Sequence, residues 1–194
     1  RVRPAFEDGI MRCCEIAVAR GYRRIGLAPF SHADPTLHDW RLRAVAECCR
    51  ERFPGSVLPG LPWLGPHDDP AGFRRWAARV RPDAVVSLHT GAYWWLRDSG
   101  LKIPDDVGFC AAARGHGGPQ EEMISGLEVS EVCIAKTALD LLGQLLIREE
   151  MGRAQIPLEL LLHPAWVEGE TLPQRINPRR SGEAGRGRAR APDA

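Results

Sequence analysis

Three short clusters in the 194-residue chain carry side chains suited to holding a polar ligand. Asp39-Trp40-Arg41 sets a carboxylate, an indole and a guanidinium side by side. That set suits a polar cyclic molecule, with hydrogen bonds to its hydroxyls and an aromatic stack on its C–H face. Its plainer role is the opening turn of a helix, where Asp39 favours the helix dipole and Trp40 packs on the core. His89-Thr90 follows an apolar run and either donates to a ligand or caps the next helix. Arg114 stands just past a second such run and is the third candidate. Trp94-Trp95 adds aromatic mass, but one of two adjacent aromatics normally faces the core, so at least one is structural.

No catalytic signature accompanies them. The chain has no G-x-S-x-G elbow, no phosphate-binding G-x₄-G-K-[ST] loop and no H-E-x-x-H pair. Asp68-Asp69 and Glu121-Glu122 read as solvated acids, and His67 beside the first pair is weak grounds for a metal. Gly115-His116-Gly117-Gly118 could cradle an anion but reads as a loop, because no helix start follows it. The expectation is a binding protein, not an enzyme, with no cofactor and no metal.

The elements that must position these clusters alternate between helix and strand. Phe6 to Arg20 is apolar at helical spacing through Ile10, Cys13, Cys14, Ala17 and Val18, and Gly21 stops it. Arg24 to Ala28 is a short buried strand. A second helix runs from His38 to Phe53 with Leu42, Val45, Ala46 and Cys49 on one face, ended by Pro54-Gly55. Val57 to Leu64 is a weak strand broken by prolines, and Ala71 to Val80 a third helix. Asp83 to Leu88 and Asp106 to Ala112 are buried strands flanking a short helix, Ala92 to Asp98, that Gly100 terminates. Val129 to Met151 is the longest helix, Leu158 to Leu162 a final strand, and Ala165 to Val167 an extended piece. Such alternation predicts α/β architecture with a mainly parallel sheet, whose ligands sit beyond the carboxyl ends of the strands. The segments after Ala28, Leu88 and Ala112, and the stretch from Ile124 to Val129, are therefore the places to look.

Composition bounds the rest. Hydrophobic residues are 44% and charged residues 26%, an ordinary globular balance, and no apolar run is long enough for a transmembrane helix. The net charge of +1 is uneven: six arginines against Glu183 and Asp193 give 174–194 a charge of +4, leaving −3 on the remainder. A mildly acidic globule with a basic Gly/Arg/Pro tail is not a basic DNA-binding face. Residues 1–173 are expected to form the folded part and 174–194 a disordered basic tail. The opening RVRPAFEDGIMRCC has neither an initiator Met nor the apolar core of an export signal, and reads as the middle of a longer, cytoplasmic protein. The six cysteines, two pairs of them adjacent, lack zinc spacing and fit reduced thiols.

From Gly21 to Leu172 the chain resembles the effector-binding domain of LacI/GalR transcriptional regulators, a relative of periplasmic sugar-binding proteins. Gly21-Tyr22-Arg23-Arg24-Ile25-Gly26-Leu27 is similar to that family's helix-to-strand join, and Arg81-Pro82-Asp83-Ala84-Val85-Val86 to the strand before its ligand loop. Gly100-Leu101-Lys102-Ile103-Pro104-Asp105-Asp106-Val107 follows the family's G-[LV]-x-[VI]-P-[ED]-D-[VI], and Trp166-Val167-Glu168-Gly169-Glu170-Thr171-Leu172 follows the W-V-x-G-x-T-L of one branch. The resemblance implies a periplasmic-binding-protein-like α/β sandwich, mostly the C-terminal subdomain with part of the N-terminal one. It also implies a small-molecule effector such as a sugar. Operator DNA would be reached only through an N-terminal helix-turn-helix outside this chain, and the full-length form would be a homodimer with no membrane partner. Arg41 matches the family's effector-contacting helix arginine. The chain departs from the pattern at His89-Thr90, where the family has Asn-Asp, and at Ala111-Ala112-Ala113-Arg114, where it has Gly-Phe-Asp-Asp. The Asp that contacts sugar in sugar-sensing members has no match. The late helix, which the family packs in the other subdomain, is expected to expose Ile134, Leu141, Leu142 and Leu145.

Overall fold

A computed structural model describes residues 1–29, 35–58, 62–63, 68–114, 119–128, 130–150, 152 and 156–175, with 35–40 and 119–120 as backbone only. Two sheets organise it. The larger has the order β2 (Ile25–Ala28), β3 (Ala84–Ser87), β4 (Gly108–Arg114), β5 (Gly126–Glu128), β7 (Ala165–Val167). Its first four strands are parallel and β7 is antiparallel to β5. The smaller sheet pairs β1 (Val2–Pro4) with β6 (Leu160–Leu162) in parallel. The expected mainly parallel α/β architecture is what the chain adopts.

Helices cover both faces of the large sheet, which is why β2 and β3 are buried residue by residue. α1 (Phe6–Ala19) and α2 (Pro35–Arg52) enclose one core, where Ile10, Cys13, Cys14 and Ala17 meet Leu42, Ala46 and Cys49 over Ile25, Leu27, Val86, Cys110 and Leu127. α3 (Pro70–Val80) and α4 (Gly91–Asp98) enclose the other, in which Phe73, Trp76, Tyr93 and Leu96 pack on Val85, Phe109 and Ile124. Trp95 packs on Phe73 at 5.4 Å and Trp94 on Tyr93 at 4.9 Å, so both tryptophans of the pair serve this second core.

Local chemistry sets the element ends. Asp69 caps α3, its carboxylate accepting from the Gly72 N–H at 2.8 Å, and Pro70 stands where the missing N–H costs nothing. Gly21 (φ +92°) and Gly100 (φ +87°) take the left-handed turn that ends α1 and α4. α2 starts at Pro35, three residues before the expected His38, because proline suits a first helical turn. The expected strand from Val57 to Leu64 reduces, among described residues, to one bridge between Val57 and Ile25, since Pro59 and Pro62 lack donors. β1, β5 and the four-residue α5 (Pro119–Glu122) are shorter than any period that a sequence could display.

The chain passes between the two sheets three times. β1 leads into α1 at Pro4-Ala5, β5 ends at Glu128 ahead of α6 (Glu131–Ile147), and β6 returns to β7 through His163-Pro164. α6 packs on β1, and Ser130 caps it by accepting from the Cys133 N–H at 3.1 Å. Ile134, Leu141 and Leu145 of the expected exposed set are half-buried, because their stripe is one of two on α6. Val132, Leu139, Leu142 and Leu146 form the other stripe, 51–67% exposed. A helix apolar on two sides buries only one of them on this small sheet.

Beyond the expected boundary at residue 173 the chain is still held. The Arg175 N–H donates to the Arg20 carbonyl at 2.8 Å, and its guanidinium lies 4.5 Å from the Tyr22 ring centre. Residues 176–194, most of the expected tail, lie outside the described residues.

Candidate functional site

All three crossings meet one edge of the large sheet. α1 runs against the strands, so its first turn lies over their carboxyl ends: Gly9 sits close against the Ala112 carbonyl and Leu127. β5 leaves and β7 arrives at that edge, with Glu128 opposite Ala165. The carboxyl ends of β3, β4 and β5 therefore face the second sheet across the crossings. This is where an open parallel sheet binds its ligands.

Four of the expected site residues are described in full and come to this edge from different elements. His89 and Thr90 follow β3, both half-buried. Leu88 prolongs the strand pairing by accepting from the Ala113 N–H at 2.7 Å, which brings the β3 and β4 ends together. Thr90 precedes α4 without capping it; its hydroxyl donates to Glu121 Oε1 at 3.1 Å and so ties the β3 loop to α5. Arg114 is the last residue of β4 and is only 8% exposed. Its Nε and Nη1 are buried and have no hydrogen-bond partner. Asp39 and Trp40 lie in the second turn of α2 and not at its start, and their side chains are outside the described residues.

Arg41 is drawn to the same edge by charge. Its Nη1 stands 3.7 Å from Glu7 Oε1 in the first turn of α1. Glu7 also accepts from Arg3 Nη1 at 2.8 Å and Nη2 at 3.2 Å, and Arg3 Nε donates to Glu159 Oε1 at 2.8 Å. Burial by itself would raise the Glu7 carboxyl, but hydrogen bonds from Arg3 and the charges of Arg3 and Arg41 outweigh it and hold the group below its usual range. Sequence reading missed Arg3, Glu7 and Glu159. The i,i+4 spacing of Arg3 and Glu7 was a usable signal; the part played by Glu159, 156 residues from Arg3, had none.

A hollow of about 250 Å³ lies among the crossings, lined by Glu128, Ser130, Cys133, His163 and Pro164. A roomier one of about 630 Å³ lies at the opposite edge, lined by Arg74, Arg81, Asp83, Asp106 and Arg175. There Arg175 pairs with Asp83 at 3.4 Å, and size alone does not make this hollow the binding site. At the carboxyl edge Arg114 keeps two buried donors, Nε and Nη1, without partners. Among the described residues no cluster of His, Cys, Asp and Glu is placed to hold a metal, and no helix is long and apolar enough to cross a membrane.

No model of a known protein family matches the sequence, and no curated protein does. Solved structures do. A LacI-family transcriptional regulatory protein from Corynebacterium glutamicum superposes with TM-score 0.66 at 17% identity, over 90% of this chain and 67% of that one. A putative ribose operon repressor from Burkholderia thailandensis gives 0.64 at 19%, over 86% and 62%. A LacI-family regulator from Arthrobacter sp. FB24, in complex with lactose, gives 0.59 at 16%, over 84% and 64%. The likeness establishes the fold, and this chain spans roughly three fifths to two thirds of the length of those three proteins.

Proposed function

We propose that the chain is the effector-sensing part of a cytoplasmic DNA-binding transcriptional regulator of the LacI type, holding a small polar molecule, such as a sugar, at the edge where the three crossings meet. The observation that carries this reading is the two-sheet architecture itself. Three chain passages link a five-stranded sheet to a second sheet, and the carboxyl ends of the first face the gap. A ligand touching both sides favours one relative position of the two over the other, and a few kcal/mol of difference is enough to shift such an equilibrium. That the lactose complex shares the fold supports a sugar-like effector.

In this reading Arg114, His89 and Thr90 line the large-sheet side, and Arg41, with Asp39 and Trp40 on the same helix, closes it from α2. The chain binds and does not transform its ligand. It contacts no operator itself: closure alters a homodimer of the full-length protein and so the spacing of its DNA-binding heads. The coding frame directly upstream of Arg1 tests the proposal. A further stretch of roughly 100–150 residues opening with a helix-turn-helix supports it. An export signal in that place would assign the chain to solute transport, and a catalytic half would assign it to an enzyme.

A further inference from the structure

We infer that the ligand of this edge is an anion, a carboxylate or a phosphate, and that Arg114 is the residue that takes its charge; the inference rests on the binding reading above. A guanidinium stays ionised at every pH a protein meets. Placed in a protein interior, it requires hydrogen-bonded counter-charge, because an unpaired buried cation is costly. Arg114 is 8% exposed and two of its donor nitrogens, Nε and Nη1, are buried without partners.

The backbone puts it there by a specific device. Strict alternation along β4 would send Arg114 to the α1 side with Cys110 and Ala112. The pairing of β4 with β5 shifts register between Ala111 and Arg114, and Ala113 as well as Ala112 packs on the α1 side. Arg114 is thereby turned to the face that carries Phe109 and Ala111, at the strand's open end. An extra residue of this kind re-aims a side chain and recurs beside functional sites.

The nearby acids do not satisfy it. Glu7 is engaged by Arg3 and Arg41, and Glu121 takes the Thr90 hydroxyl. Glu128 stands opposite Arg114 in register and gives neither Nε nor Nη1 a hydrogen bond. A neutral polyol supplies acceptor oxygens but no charge. A carboxylate or phosphate supplies both, in the stronger, charge-assisted bond. Thr90 and His89 stand on the adjoining strand end, both half-buried.

The test uses the whole 194-residue chain with glucose, glucuronate, glucose 6-phosphate and inorganic phosphate as probes, read by calorimetry and by melting temperature. At least one anion is expected to bind about tenfold or more tightly than glucose, and more weakly as salt rises. Preference between glucuronate and glucose 6-phosphate separates carboxylate from phosphate. Arg114→Gln is expected to lose that preference, and Arg114→Met, which removes an unpartnered buried cation, to melt no lower than the parent without ligand. Glucose bound as tightly as any anion overturns the inference and leaves the sugar-sensing reading standing. Inorganic phosphate held through Arg114, with neither glucose nor its two derivatives bound, overturns the sugar-sensing reading and leaves the inference standing. Failure of the parent chain to bind any of the anions, or anion binding unchanged by Arg114→Gln, overturns the inference.

Discussion

Glu7→Gln tests how much the ion chain at the first crossing contributes to holding the two sheets together. The carboxylate takes two hydrogen bonds from Arg3, at 2.8 and 3.2 Å, and lies 3.7 Å from Arg41. The three side chains are 15%, 24% and 30% exposed, so the group is neither a surface pair nor a buried one. Surface pairs contribute about 0–1 kcal/mol, and hydrogen bonds to charged groups about 1.5–3. Glutamine keeps one acceptor for Arg3 and loses the charge that draws Arg41, so the loss lies near about 1–2 kcal/mol. In a chain of this size each kcal/mol moves the midpoint by about 2–4 °C, so thermal unfolding at neutral pH is expected to fall by about 2–8 °C. The sign of the pH dependence follows from the carboxyl being held below its usual range. Its contribution is complete above the unfolded value of about 4.3 and fades as pH drops through the lower folded value. Parent and variant midpoints should therefore converge below about pH 4 and separate again above about pH 5. A gap of equal size at both ends of that range, or none at neutral pH, would refute the reasoning.

Gly126→Ala is expected to destabilise more than an ordinary surface change, because a Cβ there would stand 2.4 Å from the Ala111 carbonyl oxygen; overpacking of this kind costs about 1–3 kcal/mol, measurable as a shift in urea midpoint. In the native chain a thiol reagent should titrate Cys48 and Cys133 quickly and Cys13, Cys14, Cys49 and Cys110 only on unfolding, since the latter four are buried. The hydrogen bond with Cys110 and burial push the Cys13 thiol well up, and the bond with Cys49 and burial do the same for Cys14, which keeps both from ionising near neutral pH. The chain by itself should associate through the exposed stripe of α6, and Leu142→Glu with Leu146→Lys should reduce that association in analytical ultracentrifugation; a monodisperse parent at high concentration would contradict it.

What the sequence displayed were the elements that carry a period or a punctuation mark. α1 and α2 announced their buried stripes, β2, β3 and β4 their continuous apolar runs, and Gly21 and Gly100 their helix ends. From those strands alone the carboxyl edge could be proposed as the place for a ligand, with His89, Thr90 and Arg114 as its candidate residues. The second sheet could not be seen in the same way. β1 and β6 are three residues each and their paired residues lie 158 apart, as Val2 with Leu160, so nothing local marks them as partners. Arg41 was chosen for its chemistry, yet its position depends on Glu7, and Glu7 depends on an arginine from the other sheet.

Arg114 shows the limit most sharply. Its place at a strand end was legible, while the face it occupies was not, because period-two counting assigns it to the α1 side with Cys110 and Ala112. The shift that sends it elsewhere arises from pairing between β4 and β5, with Gly126 pressed against Ala111, and so belongs to two strands at once. Three alanines, Ala111 to Ala113, precede the arginine, and small side chains tolerate either face of a sheet with little penalty. The same feature that blurs the pattern therefore permits the irregularity. A bulky residue at 113 would have to pack against the α1 core, and the register would then decide between crowding that core and returning Arg114 to it. Ala113→Leu should on this argument disturb anion binding as much as stability, although residue 113 touches the ligand edge only through the strand it belongs to.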